Sequence, residues 1–220
     1  MAKLTWHGPG EKIYRRGIQD VALFVFDPTA GNYGEGVAWN GITAVNENPT
    51  GADPTDLWAD NGKYASFRSK EEYGCTIEAY TYPDPEWLPC DGIVLTAAGV
   101  RISGQTRSKF GLVYRTEIGN DMTENAGYEI HVAYGLTASP SSKDNTTIND
   151  SPEANNPSWE CTSVPVPVST MPGVRDTSLV VISSMDHTPA QMQALEDMLY
   201  GSTTDPATLL LPDEIDALLT

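Results

Sequence analysis

The sequence predicts a mainly β fold, an antiparallel β-sandwich or barrel-like protomer that carries one packed α-helix. Short segments rich in Val, Ile, Thr and Tyr alternate apolar with polar residues, which is typical of strands with one wetter face. Nineteen glycines and sixteen prolines supply turns between such segments. With 220 residues and 40% hydrophobic content, the chain has the size of one domain, so we expect residues 1–220 to form a single unit.

The chain begins with a segment, residues 1–19, that has few periodic apolar positions and a cluster of basic residues. This pattern predicts an N-terminal arm or a loosely docked entry segment. Residues 20–26 follow as an apolar run ended by an Asp-Pro pair, which predicts a core strand covered on both faces. An Asn-Gly pair within residues 37–47 then indicates a tight turn.

Residues 47–66 are predicted to form a long loop, because two prolines and a glycine interrupt any helix or strand ladder. The interrupting residues are Pro49, Gly51 and Pro54. Leu57, Trp58 and Tyr64 are nevertheless too apolar for a freely solvated linker. The loop therefore needs an apolar surface to lie on. It is an internal flap if its own domain supplies that surface, and an assembly arm if another subunit does.

Three further segments alternate apolar and polar residues and are predicted strands: residues 73–82, 110–118 and 128–136. The last two form the most regular pair in the chain, and the nine residues between them are compatible with a projecting turn. Residues 138–158, rich in Ser, Pro, Asn and Asp, are predicted to be irregular.

Short strands are predicted at 159–163 and 179–183, before the one convincing helix at about 188–200. Thr188 is its predicted N-cap, Pro189 occupies the first helical position and Gly201 ends it. The C-terminal segment, residues 204–220, repeats the helical pattern more weakly after Pro212, which predicts a short second helix.

Charge is distributed unevenly along the chain, whose formal net charge is −17. Residues 1–116 hold 11 basic and 14 acidic side chains, whereas residues 117–220 hold 2 and 16. This balance argues against a protein that grips nucleic acid by neutralising phosphates, but it suits one that lets nucleic acid pass without sticking. A simple contribution to solubility explains the excess acid equally well.

No pattern in the sequence predicts catalysis, and we expect neither an enzyme nor a cofactor. The three histidines are scattered without metal-ligand spacing, and nucleophile-elbow, P-loop and dinucleotide-binding patterns do not occur. Three widely spaced cysteines, Cys75, Cys90 and Cys161, are predicted to be reduced, mostly buried thiols. The sequence has no apolar run long enough for a membrane helix and no export signal pattern, so we expect a chain that is not inserted in a membrane.

Five segments resemble the major tail tube proteins of long-tailed, non-contractile bacteriophages. The first spans residues 38–61, with AWNGITAVNE at 38–47, GADP at 51–54 and ADN at 59–61. The others are EYGCTIEAYTYP at 72–83, FGLVYRT at 110–116, TINDSPEA at 147–154 and LEDMLYG at 195–201. No single segment is a catalytic fingerprint, but the five occur in the right order.

The resemblance implies protomers that form a ring-shaped multi-subunit β-barrel, with hexameric rings stacked into a tube that conducts double-stranded DNA from capsid to cell. It also implies tape-measure, tail terminator and distal tail proteins as partners, a place in the virion tail, and assembly in the bacterial host cytoplasm. On this basis the polar strand faces would line the channel. The candidate lumen residues are Arg115, Glu117, Glu129 and His131.

The same resemblance makes the 47–66 loop, the 1–19 arm and the 138–158 region the expected contacts between subunits. Candidate interface residues in the loop are Asp53, Leu57, Trp58 and Tyr64. The alternative is a monomeric β-sandwich that binds a ligand on a phage or cell surface through an exposed aromatic platform. The candidate platform residues are Trp39, Trp58, Trp87 and Tyr82.

Overall fold

The computed structural model describes residues 6, 8–51, 53–140, 143, 145, 147 and 154–220. Within them the fold is mainly β, as predicted, with a large antiparallel sheet and two helices. The strands are β1 Tyr14–Asp27, β2 Asn32–Tyr33, β3 Val37–Ala38, β4 Ile42–Glu47, β5 Thr50–Gly51, β6 Pro54–Ala59, β7 Gly62–Arg68, β8 Glu71–Glu72, β9 Gly74–Ala79, β10 Val94–Leu95, β11 Arg101–Ile102, β12 Phe110–Gly119, β13 Gly127–Ala138, β14 Ser158–Ser163 and β15 Leu179–Ser183. The helices are α1 Pro189–Leu199 and α2 Pro212–Leu219.

The main sheet has the strand order β2-β1-β12-β13-β14-β9-β4, with β15 also paired to β13 and β3 to β1. β13 changes partner along its length, pairing with β15 from Glu129 to Ala133 and with β14 from Leu136 to Ala138. Gly135 lies at the change with a φ of 61°, and a Cβ there would come within 2.2 Å of the Val164 carbonyl oxygen. Only glycine fits this position, where the strand bends from one partner to the other.

One face of the sheet packs what we call the inner core, which contains three tryptophans. Strands from both ends of the sheet supply it, including β1, β12, β14 and β9, so the sheet folds over in the manner of a sandwich. Trp39, Trp87 and Trp159 meet there with ring centroids 4.5–5.8 Å apart. The cysteines Cys75, Cys90 and Cys161 are free and buried, as predicted, and burial raises the pKa of the Cys90 thiol to about 12.

The opposite face of β1, β12, β13 and β15 packs against the helices and forms the outer core. α1 begins where the sequence predicts, since Thr188 caps it and forms a capping box with Gln191. It buries Met192, Leu195 and Leu199, which recur at helical spacing along one side. α2 confirms the short C-terminal helix.

Two predictions about the first third of the chain are corrected. The first strand begins at Tyr14, so the end of the segment predicted as an N-terminal arm belongs to the sheet; residues 1–5 and 7 lie outside the described residues. Residues 54–68 of the predicted long loop form a β-hairpin rather than irregular structure. Pro54 opens its first strand, and an isolated ribbon tolerates proline because the outward edge of each strand needs no backbone donor.

Candidate functional site

The first candidate surface is this hairpin, residues 54–68, which we call the hairpin arm. β6 and β7 pair with each other, and among the described residues neither pairs with another strand. Asp60 and Asn61 occupy the turn with φ angles of 51° and 62°, the two consecutive positive values that a type I′ turn requires. With six residues in β6 and about 3.3 Å per residue, the arm is roughly 20 Å long.

The root of the hairpin arm is fixed by a second short ladder, β5 with β8, and by a hydrogen bond from the Asn48 amide to the Gly74 carbonyl at 2.7 Å. Gly51 lies in this ladder at a φ of 87°, where a Cβ would approach the Lys70 carbonyl oxygen to 2.5 Å. The chain therefore leaves the sheet and returns to it as a continuous antiparallel ribbon.

The hairpin arm exposes its large apolar side chains instead of packing them on its own domain. The exposed fractions are 44% for Leu57, 70% for Trp58, 76% for Tyr64 and 61% for Phe67. Asp53, directly before the arm, is also exposed. Of the two readings of this segment, the structure rules out the internal flap. Its role as an assembly arm, and the interface role of Asp53, Leu57, Trp58 and Tyr64, stay predictions.

The two faces of the hairpin arm differ in chemistry. Cross-strand partners share a face, so Thr55 and Phe67 lie with Leu57 and Ala65 on an apolar side. On the other face, the Asp56 carboxylate accepts a hydrogen bond from Ser66 Oγ at 2.7 Å and lies 2.7 Å from Lys63 Nζ. These contacts lower the pKa of Asp56, chiefly through Lys63. Trp58 is two positions from Asp56 on the same strand and pairs with Lys63, so it lies on this second face, and both faces of the arm expose large apolar side chains.

The second candidate surface is the polar part of β12 and β13, where the sequence places four lumen candidates. The register pairs Thr116 with Glu129 and Arg115 with Ile130. Because cross-strand partners share a face and neighbours along a strand alternate, Arg115 and Glu117 lie on one face, and Glu129 and His131 lie on the other. The structure therefore does not bring the four residues onto one surface, and a channel wall can present at most two of them.

Glu129 is only 6% exposed, and its charge is neutralised within the chain. Arg15 of β1 donates two hydrogen bonds to it, from Nε at 2.6 Å and from Nη2 at 2.7 Å. The bidentate contact with Arg15 lowers the pKa of the Glu129 carboxyl. The sequence placed Glu129 on the polar face of its strand, but no local pattern marks its partner 114 residues away.

His131 lies next to Glu129 on the same face and is mostly buried. Its Nε2 is 3.1 Å from Thr116 Oγ1, and its ring stacks on Tyr114 with centroids 4.6 Å apart. Burial lowers the pKa of His131, and the nearby Glu47 carboxylate acts in the opposite direction. Glu47 closes the group, accepting a hydrogen bond from the Tyr114 hydroxyl at 2.6 Å. The arrangement is that of a structural hydrogen-bond network rather than of a general base facing a substrate.

Arg115 and Glu117 lie on the helix side of the sheet. The Arg115 guanidinium is 4.3 Å from the centre of the Tyr128 ring and 3.6 Å from carboxylate oxygens of both Asp20 and Glu196. Glu117 is 3.3 Å from Arg16 Nε. Arg115 of β12 thus links this strand to β1 through Asp20 and to α1 through Glu196.

The four aromatic candidates of the alternative hypothesis differ in exposure. Trp39 and Trp87 are buried in the inner core, and Tyr82 is half-buried with its ring 6.1 Å from that of Trp159. Trp58 alone of the four is fully at the surface, at 70% exposure on the hairpin arm. Of the aromatic residues that the alternative hypothesis offers for a binding platform, Trp58 therefore stays a candidate and the buried Trp39 and Trp87 do not.

Within the described residues, no three His, Cys, Asp or Glu side chains are grouped closely enough to hold a metal ion. No described helix combines the length and apolar character that crossing a membrane requires.

No known protein family matches this chain in sequence, and no curated protein does. Among solved structures, the chain is similar to one in the cryo-EM structure of the anti-feeding prophage (AFP) baseplate, 6-fold symmetrised. The TM-score is 0.33 with 8% identity, covering 81% of this chain and 97% of that chain. A similarity at this level establishes neither the fold nor the function of this chain.

Proposed function

We propose that the protein is a structural subunit of a phage-type tail tube, which polymerises as stacked hexameric rings and conducts double-stranded DNA. The observation that carries the proposal is the hairpin arm. Four large apolar side chains are exposed along this ribbon of 15 residues. Exposed apolar groups concentrated on one element in this way mark protein interaction sites. The family resemblance in the sequence supplies the identity of the assembly.

The sheet supports a ring through two of its open edges. Among the described strands, none covers the outer edge of β15 or that of β1 over residues 14–19. β1, β12, β13 and β15 are successively antiparallel, so β15 of one copy can lie antiparallel to β1 of the next. Repeating this contact closes a ring and removes the exposed edges, which otherwise invite uncontrolled pairing.

The charge distribution supports passage of DNA without binding. The second half of the chain, which contains β13, β15 and both helices, holds 16 acidic and 2 basic side chains. An acidic wall repels the phosphate backbone, and neutralising contacts would be needed for DNA to adhere. Tape-measure, tail terminator and distal tail proteins are the partners this proposal implies, and the virion tail is the place, with assembly in the host cytoplasm.

The test is the assembly state of arm variants by light scattering and negative-stain electron microscopy. The wild-type protein is expected to form rings or tubes, whereas Trp58→Ala and Tyr64→Ala are expected to fold and stay monomeric. Truncating a central interfacial aromatic commonly costs about 2 kcal/mol or more of binding free energy. Tyr80→Ala is the matched control, because Tyr80 is similarly exposed but lies outside the arm.

A wild-type protein that stays a compact monomer at all concentrations contradicts the proposal. Normal tubes from Trp58→Ala and Tyr64→Ala contradict the role of the arm.

A further inference from the structure

Two of the three cysteines face each other across the strand pair β9–β14. Cys75 lies directly opposite Cys161 in the register, so both side chains are on the same face of the sheet. Both thiols are free, and they are only 2% and 4% exposed. Their direct interaction is the main reason why the pKa of the Cys161 thiol is raised. Two free sulfurs therefore lie side by side in the inner core.

We infer that Cys75 and Cys161 form a disulfide within one chain when the folded protein meets a peroxide. The inference concerns a covalent modification of the single subunit, so it does not depend on the proposed assembly. Among the described residues, these two cysteines are the ones that the strand register places opposite each other.

The backbone geometry of this strand pair fits the bond. The Ala79 amide donates a hydrogen bond to the Pro157 carbonyl at 3.2 Å. Because hydrogen-bonded pairs recur at every second position of an antiparallel ladder, Cys75 and Cys161 are also such a pair. The Cα atoms of a hydrogen-bonded pair are about 5.5 Å apart, which lies within the range of roughly 4.4–6.8 Å that disulfides span. No strand has to move for the bond to form.

Cys90 is the competing sulfur, since it is buried in the same core. It lies in a turn segment between β9 and β10, where its amide donates a hydrogen bond to the Trp87 carbonyl at 3.0 Å. No strand pairing places it opposite another described cysteine. Cys90 also acts less strongly than Cys75 on the pKa of the Cys161 thiol. We therefore expect Cys90 to stay outside the disulfide.

A cavity gives a small oxidant a route to the pair. Both Cys75 and Cys161 line this cavity, which has a volume of about 240 Å³. The thiolate is the reactive form of a cysteine, so the raised pKa of Cys161 slows its reaction at neutral pH. Burial of both sulfurs slows the reaction further. The pair is thus suited to slow modification under sustained oxidation rather than to rapid sensing.

The reaction is balanced by one hydrogen peroxide. One sulfur attacks the peroxide, the S–H and O–O bonds break, and a sulfenic acid and a water form. The second sulfur then attacks the first, the S–O bond breaks, and the oxygen leaves with the proton of the second thiol as another water. Two thiols are oxidised to one disulfide, and the peroxide is reduced to two waters.

The disulfide joins β9 to β14 beside the root of the hairpin arm. The Gly74 carbonyl, next to Cys75, accepts the hydrogen bond from the Asn48 amide at 2.7 Å. The Tyr73 carbonyl accepts one from Ser163 Oγ at 2.6 Å. A cross-link between segments far apart in sequence restricts the unfolded chain and stabilises the folded one. The oxidised protein is therefore expected to melt at least about 5 °C above the reduced protein.

Peptide mapping of the wild-type protein by mass spectrometry tests the inference. The folded protein is treated with hydrogen peroxide at mildly alkaline pH, and the remaining thiols are then blocked. A disulfide between Cys75 and Cys161 of the same chain is expected, and dithiothreitol is expected to reverse both the bond and the rise in melting temperature. The same treatment in urea is the control, because the unfolded chain has no register and joins the three cysteines in every combination.

Three variants sharpen the test. Cys90→Ala is expected to keep the disulfide and the rise in melting temperature, whereas Cys75→Ala and Cys161→Ala are expected to lose both. A wild-type pair that stays reduced after prolonged treatment, or that is oxidised to sulfinic acid without a disulfide, overturns the inference. A folded protein that links Cys90 as often as it links Cys75 to Cys161 also overturns it. These outcomes are read on the single chain, so they are separate from the presence or absence of rings and tubes.

Discussion

The chain contains two antiparallel strand pairs, β12 with β13 and β6 with β7, that have similar local geometry but differ in burial. The first pair is largely buried and the second is exposed. β12 is buried on both faces from Phe110 to Tyr114, between the inner and the outer core. Almost every residue of the hairpin arm is exposed, although it carries Leu57, Trp58, Tyr64 and Phe67. The comparison shows that apolar content alone does not place a ladder in the core. What decides is whether the chain brings a second layer against it.

The largest expected effect on stability comes from replacing a phenylalanine by alanine in the β12–β13 ladder. The same replacement in the hairpin arm is the comparison. Phe110→Ala removes a fully buried ring that packs 5.0 Å from Trp87, centre to centre, and is expected to lower the unfolding free energy by about 3–5 kcal/mol. Phe67→Ala, on the hairpin arm, is expected to change it by less than about 0.5 kcal/mol. Urea denaturation of both variants under conditions where the protein is monomeric measures the difference. Similar losses in the two variants would mean that the arm packs on its own domain.

A smaller effect concerns Glu129, whose charge the β12–β13 ladder buries. Glu129→Gln is expected to cost roughly 1–2 kcal/mol at pH 7, since it weakens a bidentate pair whose Arg15 side is solvent-exposed. The folded-state pKa of Glu129 lies below its ordinary value of 4.5. Its charge therefore contributes stability that is complete above about pH 4.5 and is lost as the pH falls through the folded pKa.

The unfolding free energies of the wild type and of Glu129→Gln are measured between pH 7 and pH 3. The difference between the two free energies is expected to become smaller as the pH falls. Glu117→Gln is the control, because its pair with Arg16 is more exposed and is expected to contribute under about 0.5 kcal/mol. A gap that stays constant with pH would show that the Glu129 carboxylate gains nothing from Arg15.

The smallest effect on the whole fold comes from the turn of the hairpin arm. Asn61→Val places a β-branched residue at a φ of 62°, which is expected to open the arm locally while changing global stability by less than about 0.5 kcal/mol. Hydrogen exchange monitored by mass spectrometry is expected to speed up in residues 54–68 and to stay unchanged in β12 and β13. Asn61→Gly is the control, since glycine adopts positive φ freely. Faster exchange in both ladders would mean that they unfold together.

The sequence predicts secondary structure correctly where the signal lies in neighbouring residues. The alternation in β9, β12 and β13, the N-cap at Thr188 and the helix over Pro189–Leu199 all appear where predicted, because each depends on neighbouring residues. A loop is predicted in place of the hairpin arm because Pro49, Gly51 and Pro54 are residues that normally interrupt a strand ladder. The signal that could have revealed it is the Asp60-Asn61-Gly62 turn, set between two segments of apolar and polar residues.

The candidate site was less predictable, because its geometry depends on strand register and on distant partners. The alternation of apolar and polar residues identifies Arg115, Glu117, Glu129 and His131 as polar positions of their strands. It does not contain the register of β12 with β13, which puts the first two residues on one face of the sheet and the last two on the other. Likewise, Trp39 and Trp58 look alike in the sequence, yet one lies in the inner core and the other on the hairpin arm.

The sequence by itself determined the β-rich class, most strands of the main sheet, both helices and the acidic second half, because these follow from local periodicity, capping and composition. Only the tertiary structure decided that residues 54–68 form an exposed ribbon, that Arg15 neutralises Glu129, and that Arg115 and Glu129 lie on opposite faces of the sheet. Each of these depends on which distant segments meet. Burial and pairing are properties of the packed chain as a whole, and no short window of residues contains them.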